Sequence, residues 1–259
     1  MNLDIPIPAD LFNKFNGIKF HDDVHKYYLG DKNLISVTTL LHKYQEPFDE
    51  QYWSEIKALE YGMTPQGVIT MWKAINDKSK VKGSIIHNYA ELLYNNKVFQ
   101  YPAEEVLKKL GEDTIKPEYD IVKGYVDNFY QDTFNKLIPI KTEFVVYDEL
   151  WGLAGMMDIL FWNVKKQCFQ IWDWKTNKDF TMTSQYSQKL KYPMFKLDDS
   201  HINIYSLQLS AYKSILMRNT GIIIEGMYVV WLNEINPNYK VIECLDYSDF
   251  LPRLVENTQ

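Results

Sequence analysis

The feature that most constrains this chain is a change of hydrophobic period at Pro139. Between residues 51 and 136 apolar side chains recur at helical spacing, which predicts helices near 51–62, 67–79, 83–95, 103–110 and 117–136, with Pro117 in the first turn of the last. Beyond Pro139 the pattern alternates. Residues 140–149, 152–163 and 168–176 read as three consecutive strands, the last two joined by the polar turn "VKKQ". A helix follows over 203–219, closing near Gly221, and strands at 225–234 and 240–247 complete the set. Ahead of the helices, "GIKFHDDVHKYYLGDKNLISVT" reads as a strand, a turn near Gly30 and Asp31, and a second short strand. Ser36 then caps a helix beginning "VTTLLHKY". Such an order suits an α/β fold with a central mixed sheet flanked by helices.

The chain of 259 residues, 46% hydrophobic and 15% aromatic, has enough apolar material for a substantial core. Without repeats or low-complexity linkers, residues 1–259 read as one domain: an N-terminal hairpin and helical elaboration (1–82), a core (83–245) and a C-terminal tail (246–259). No apolar run reaches 18 residues and the N-terminus lacks the layout of a signal peptide, so a cytoplasmic location is expected and no membrane partner. The net charge of −6 argues against a broadly basic surface, though "KLKYPMFK" (189–196) interleaves lysines with aromatics. Cys168 and Cys244 lie far apart and outside any zinc or redox spacing, which leaves buried thiols as their expected role.

Chemistry enters with "IWDWKTNK" (171–178). In a strand, Asp173 and Lys175 share one face while Trp172 and Trp174 share the other. The preceding strand carries Asp158 within "LAGMMDIL", where a buried, unpaired carboxylate is costly. Two acids brought together by neighbouring strands repel unless positive charge lies between them. A divalent ion answers that need, and so does a salt bridge from Lys175 with Asp158 capping a turn. The acid-x-lysine triplet is weak alone, since Glu55 and Lys57 repeat it in a helical stretch. In the 83–95 helix, Ile86, Tyr89, Ala90 and Leu93 define a core face, and His87 and Glu91 share the adjacent stripe, where a histidine ligand and its support are compatible. Gln208 and Tyr212 form a similar polar stripe beside Leu207, Ala211 and Ile215.

Taken in order, Gly83-His87-Glu91, Gly155-Asp158, Asp173-Trp174-Lys175-Thr176 and Gln208-Tyr212 make a set that resembles the RecB-like branch of the PD-(D/E)XK nucleases. Within it the chain is most similar to exonucleases of phages and of mitochondrial genome maintenance. The resemblance spans residues 83–212, and Met157 stands where the superfamily's nominal proline falls. It implies a restriction-endonuclease-like core and a metal-dependent deoxyribonuclease, expected to be an exonuclease in replication, recombination or repair. His87, Asp158, Asp173 and the main-chain carbonyl of Trp174 would hold one or two Mg²⁺ or Mn²⁺ ions. Lys175 would orient or deprotonate the attacking water, Glu91 would support His87 or a second ion, and Gln208 and Tyr212 would position the substrate phosphate and the lysine. The expected partner is DNA, single-stranded or with free ends, alongside a helicase or single-strand-binding protein. The two cysteines cannot ligate an iron-sulfur cluster of four-cysteine type, so none is expected. Helices over 51–80 and 103–136 are read as a wall over the cleft, with Tyr61, Trp72 and Tyr192 as stacking surfaces. An endonuclease of the same superfamily and an inactive DNA-binding module with this fold are the alternatives.

Overall fold

The structure is a computed structural model, described over residues 5–21, 24, 26–97, 112–184 and 187–256; the helix expected over 103–110 lies outside these. Strands β1 (Ile18–His21), β2 (Lys26–Leu29) and β3 (Lys32–Ser36) form a meander in place of the two strands expected. Gly30, at φ +59°, makes the tight turn between β2 and β3. Ser36 caps α1 (Val37–His42), its hydroxyl accepting the Thr39 N–H at 3.0 Å. Helices α2 (Glu50–Tyr61) and α3 (Pro65–Tyr94) follow. The expected helices at 67–79 and 83–95 are one 30-residue α3, because nothing in the polar stretch between them breaks a helix. Helix α4 (Glu112–Thr133) starts ahead of the expected boundary, so Pro117 lies past its first turn.

Strands β4 (Leu137–Asp148), β5 (Leu153–Asn163) and β6 (Cys168–Lys175) occur as the alternation predicts. They are followed by α5 (His201–Thr220), β7 (Ile224–Trp231), β8 (Lys240–Glu243) and α6 (Leu251–Glu256). Gly221 closes α5 in the left-handed conformation, its N–H bonded to the Met217 carbonyl. Among the described residues the strands form one mixed sheet. β3 is parallel to β5 and β6 to β7, while the other pairings are antiparallel.

Helices cover both faces. On one, Leu40 of α1, Leu207, Ala211 and Ile215 of α5 and Leu254 of α6 pack on Phe144, Ile171 and Val229. On the other, Ile86 and Ala90 of α3 and Val122, Val126 and Phe129 of α4 pack on Phe161, Trp172 and Trp174. The two tryptophans thus occupy the face opposite Ile171, as strand alternation requires. α4 is core packing and does not roof a cleft, because its apolar stripe needs the sheet for burial. The residues read as a tail also contribute: Leu251, Leu254 and Val255 are buried, and the Tyr44 hydroxyl donates to the Leu254 carbonyl at 2.8 Å. No described helix is long and apolar enough to cross a membrane.

The detail that positions the site is a fork in β5. Its pairing with β6 begins at Ile159–Trp172 and runs to Asn163–Cys168, while Leu153 and Ala154 pair with β3. Since β4 follows the full length of the opposite edge, β3 and β6 share one edge and leave a gap between them. Asp158 lies in that gap.

Candidate functional site

Where β5 and β6 part, the Asp158 side chain substitutes for the missing ladder. Its Oδ2 accepts the Trp174 N–H at 2.6 Å, and its Oδ1 lies 3.3 Å from His87 Nδ1 on α3. The helix brings His87 there because Ile86, Tyr89 and Ala90 bury the neighbouring stripe against the sheet. Glu143, which the sequence reading did not single out, completes the group. One ligand atom from each of His87, Glu143 and Asp158 lies within 4.8 Å of the others. The β4–β5 register sets Glu143 opposite Asp158, between the pairs Thr142–Ile159 and Phe144–Met157. Its φ of +43° is unusual for a non-glycine residue and locally strained.

Asp173 and Lys175 form an ion pair on one face of β6, as their alternation predicts. The lysine is rigidly held. Its carbonyl accepts the Leu232 N–H at 2.8 Å, and its ammonium sits 4.9 Å from the centre of the Tyr205 ring. The Tyr205 hydroxyl donates to Asn177 Oδ1 at 3.1 Å, and the Asn177 carbonyl accepts from Trp231 Nε1 and Asn233 Nδ2. In the second triplet Lys57 pairs with Glu60.

The electrostatics reflect crowded acids. Burial and the Asp158 charge push Asp173 up to about 6 and Glu143 up to about 8. Burial alone would raise Asp158 too, but His87, Lys175 and the Trp174 N–H outweigh it and hold Asp158 below its ordinary value. Burial alone would lower His87; Asp158 overrides it and lifts the imidazole to about 9. Lys175 is raised as well, since Asp173 and Asp158 outweigh its desolvation. In this state the histidine proton and the lysine charge neutralise the carboxylates.

The other expected residues divide. Glu91 is one turn from His87, but among the described residues no hydrogen bond joins them; Glu143 instead stands with His87 and Asp158. Gln208 lines the cleft and donates to the Tyr212 hydroxyl at 2.9 Å. Tyr212 itself is buried over Gly155, so it braces Gln208 and does not face the cleft. Gly83 runs past Thr176, where an added Cβ would meet the hydroxyl at an ordinary 3.5 Å, so packing does not demand glycine there. Of the missed residues, Tyr205 had a signal, three positions before Gln208 on its stripe. Glu143 had none, because only the register brings it to Asp158.

Above Lys175 opens a cleft of about 560 Å³, walled by Thr38, His42 and Gln45 around α1, by Thr181 and Gln188, and by His201, Tyr205 and Gln208 of α5. The expected wall over 51–80 does not line it; Trp72 meets Phe48 edge-on, and Tyr61 is exposed at the end of α2.

Fold and site together define an α/β protein whose mixed sheet forks around a carboxylate, histidine and lysine cluster, the lysine lining a cleft. No protein-family model matches the chain, and no curated protein does. Among solved structures it is similar to the protein of "Crystal structure of SSO0001", at 14% identity and a TM-score of 0.28, over 74% of this chain and 86% of the other. A likeness that distant carries no argument about function.

Proposed function

We propose that this chain is a metal-dependent deoxyribonuclease that hydrolyses phosphodiester bonds at the free ends of DNA strands, with a nuclease core of restriction-endonuclease type. The observation that carries the reading is the meeting of His87, Glu143 and Asp158 beside the Asp173–Lys175 pair, whose lysine lines a cleft.

The donor set fits a divalent ion. Neighbouring ligands on an ion at about 2.1 Å lie about 3 Å apart, and His87 Nδ1 and Asp158 Oδ1 are 3.3 Å apart. One nitrogen with carboxylate oxygens suits Mn²⁺ or Mg²⁺. His87, Glu143 and Asp158 would hold it, with Asp173 and the Trp174 carbonyl as the further donors the resemblance implies. Once bound, the ion supplies charge for the phosphoryl oxygens and acidity for a coordinated water.

The chain's own groups do the rest. The Trp174 N–H fixes one Asp158 oxygen and thereby aims the other at His87. Asp173 keeps Lys175 protonated, which favours orienting the attacking water and stabilising phosphate charge over removing a proton. Tyr205 and Asn177 keep that ammonium in place, and Gln208, braced by Tyr212, offers an amide at the cleft wall. A cleft of about 560 Å³ has the size of a small-ligand site, which suits the end of a strand better than the flank of a duplex.

The test is digestion of end-labelled DNA, single- and double-stranded, linear and circular, with Mg²⁺, Mn²⁺ or chelator. Release of nucleotides from linear strands, stopped by chelator, is expected. Rapid cutting of closed circles would move the protein to the endonucleases, and no cleavage of any of these DNAs with either ion would overturn the nuclease reading.

A further inference from the structure

Residues 188–199 form a hairpin that the site does not explain. The Asp199 N–H donates to the Gln188 carbonyl, Lys189 bridges Asp198, and the Leu190 N–H donates to the Leu197 carbonyl. Its base touches the cleft through Gln188 and Asp199. Leu190 and Met194 are buried in the main core, and the Lys191 N–H donates to the Tyr44 carbonyl at 2.8 Å, so the tip is anchored from below. Yet Tyr192 is 65% and Phe195 54% exposed, their rings parallel within 8° at 6.4 Å between centroids. Holding two large aromatics in water on a fixed support leaves apolar area unburied, which calls for a partner.

We infer that this tip is a stacking platform for the bases of a single DNA strand, leading it into the cleft. The inference rests on the nuclease reading and names where its substrate is held. Three observations carry it. Parallel exposed rings take a base face regardless of sequence. Lys191 and Lys196 are the chain neighbours of the two aromatics and Lys189 lies on the same hairpin; Asp198 and Glu46 engage Lys189 and Lys191 through surface ion pairs that a phosphate can replace. The tip also lies within about 14 Å of the hairpin's base, since four residue steps join Gln188 to Tyr192.

The test compares wild type with the Tyr192→Ala, Phe195→Ala double variant, both positions being too exposed to hold the fold. Fluorescence anisotropy with Ca²⁺ measures affinity for a labelled oligo-dT and for an abasic strand of equal length. The double variant is expected to lose about tenfold to a hundredfold on oligo-dT and to change less than threefold on the abasic strand. A Tyr192→Trp, Phe195→Trp variant should keep or gain affinity. Oligo-dT binding within twofold of wild type in the double variant, an equal loss on both strands, or no binding by wild type would each overturn the inference. Wild-type DNA cleavage, measured in parallel, reports separately on the nuclease reading.

Discussion

At Asp158 two oxygens serve two different partners, and substitution separates them. Oδ2 satisfies a buried N–H, whereas Oδ1 faces His87. Asp158→Asn keeps an acceptor for Trp174, so its melting temperature should stay near wild type while calorimetric Mn²⁺ affinity falls at least tenfold. Asp158→Ala strands the N–H and should also cost about 1–3 kcal/mol in chemical denaturation. Equal stability of the two variants would mean that the Trp174 bond contributes nothing. Lys175→Ala should reduce DNA cleavage by at least about a hundredfold, as expected when a fixed charge is removed from a phosphoryl site. Its far-UV circular dichroism should be unchanged, because the raised Asp173 can take a proton once its partner is gone. Full turnover in that variant would end the assignment. At this scale the acid and lysine of β6 were readable from alternation alone, since a strand's period places them on one face. Glu143 was not, because its place depends on a pairing partner fifteen residues along and on a backbone twist at φ +43°.

Between elements, α5 fits closely against β5 at Gly155. A Cβ there would stand 2.3 Å from Tyr212 Cε1, in a strand flanked by the buried Ala154 and Met157. Gly155→Ala must therefore push Tyr212, and with it Gln208, away from the sheet. We expect a loss of about 1–3 kcal/mol by urea denaturation, of the order seen on overpacking a core. A neutral result would mean that the helix yields freely at this point. The caps of α1 and α5 follow local chemistry, so Ser36 and Gly221 marked them in the sequence. The role of α4 depended on packing, since only its place against the sheet shows what its apolar stripe covers, whereas α3 runs on because its polar middle holds no breaker.

Over the whole molecule, the crowded charges make stability depend on pH and metal together. Between about pH 4.5 and 8 Glu143 holds a proton in the folded chain that it loses when unfolded, and between about 6.5 and 9 His87 does the same. The folded state binds more protons, so the metal-free protein should lose stability as pH rises through this range. A divalent ion at these groups displaces the same protons, so the rise in melting temperature on adding Mn²⁺ should be larger at pH 8.5 than at pH 6. An equal rise at both would place the ion elsewhere. The sequence by itself determined the succession from β4 to β8 with α5 among them, the β6 faces and the order of the motifs, because periodicity and capping act over a few residues. Only the tertiary structure decided the fork in β5, the approach of His87 and Glu143 to Asp158, and the burial of Tyr212. Those depend on strand register and on how two helical layers meet one sheet, which no local pattern encodes.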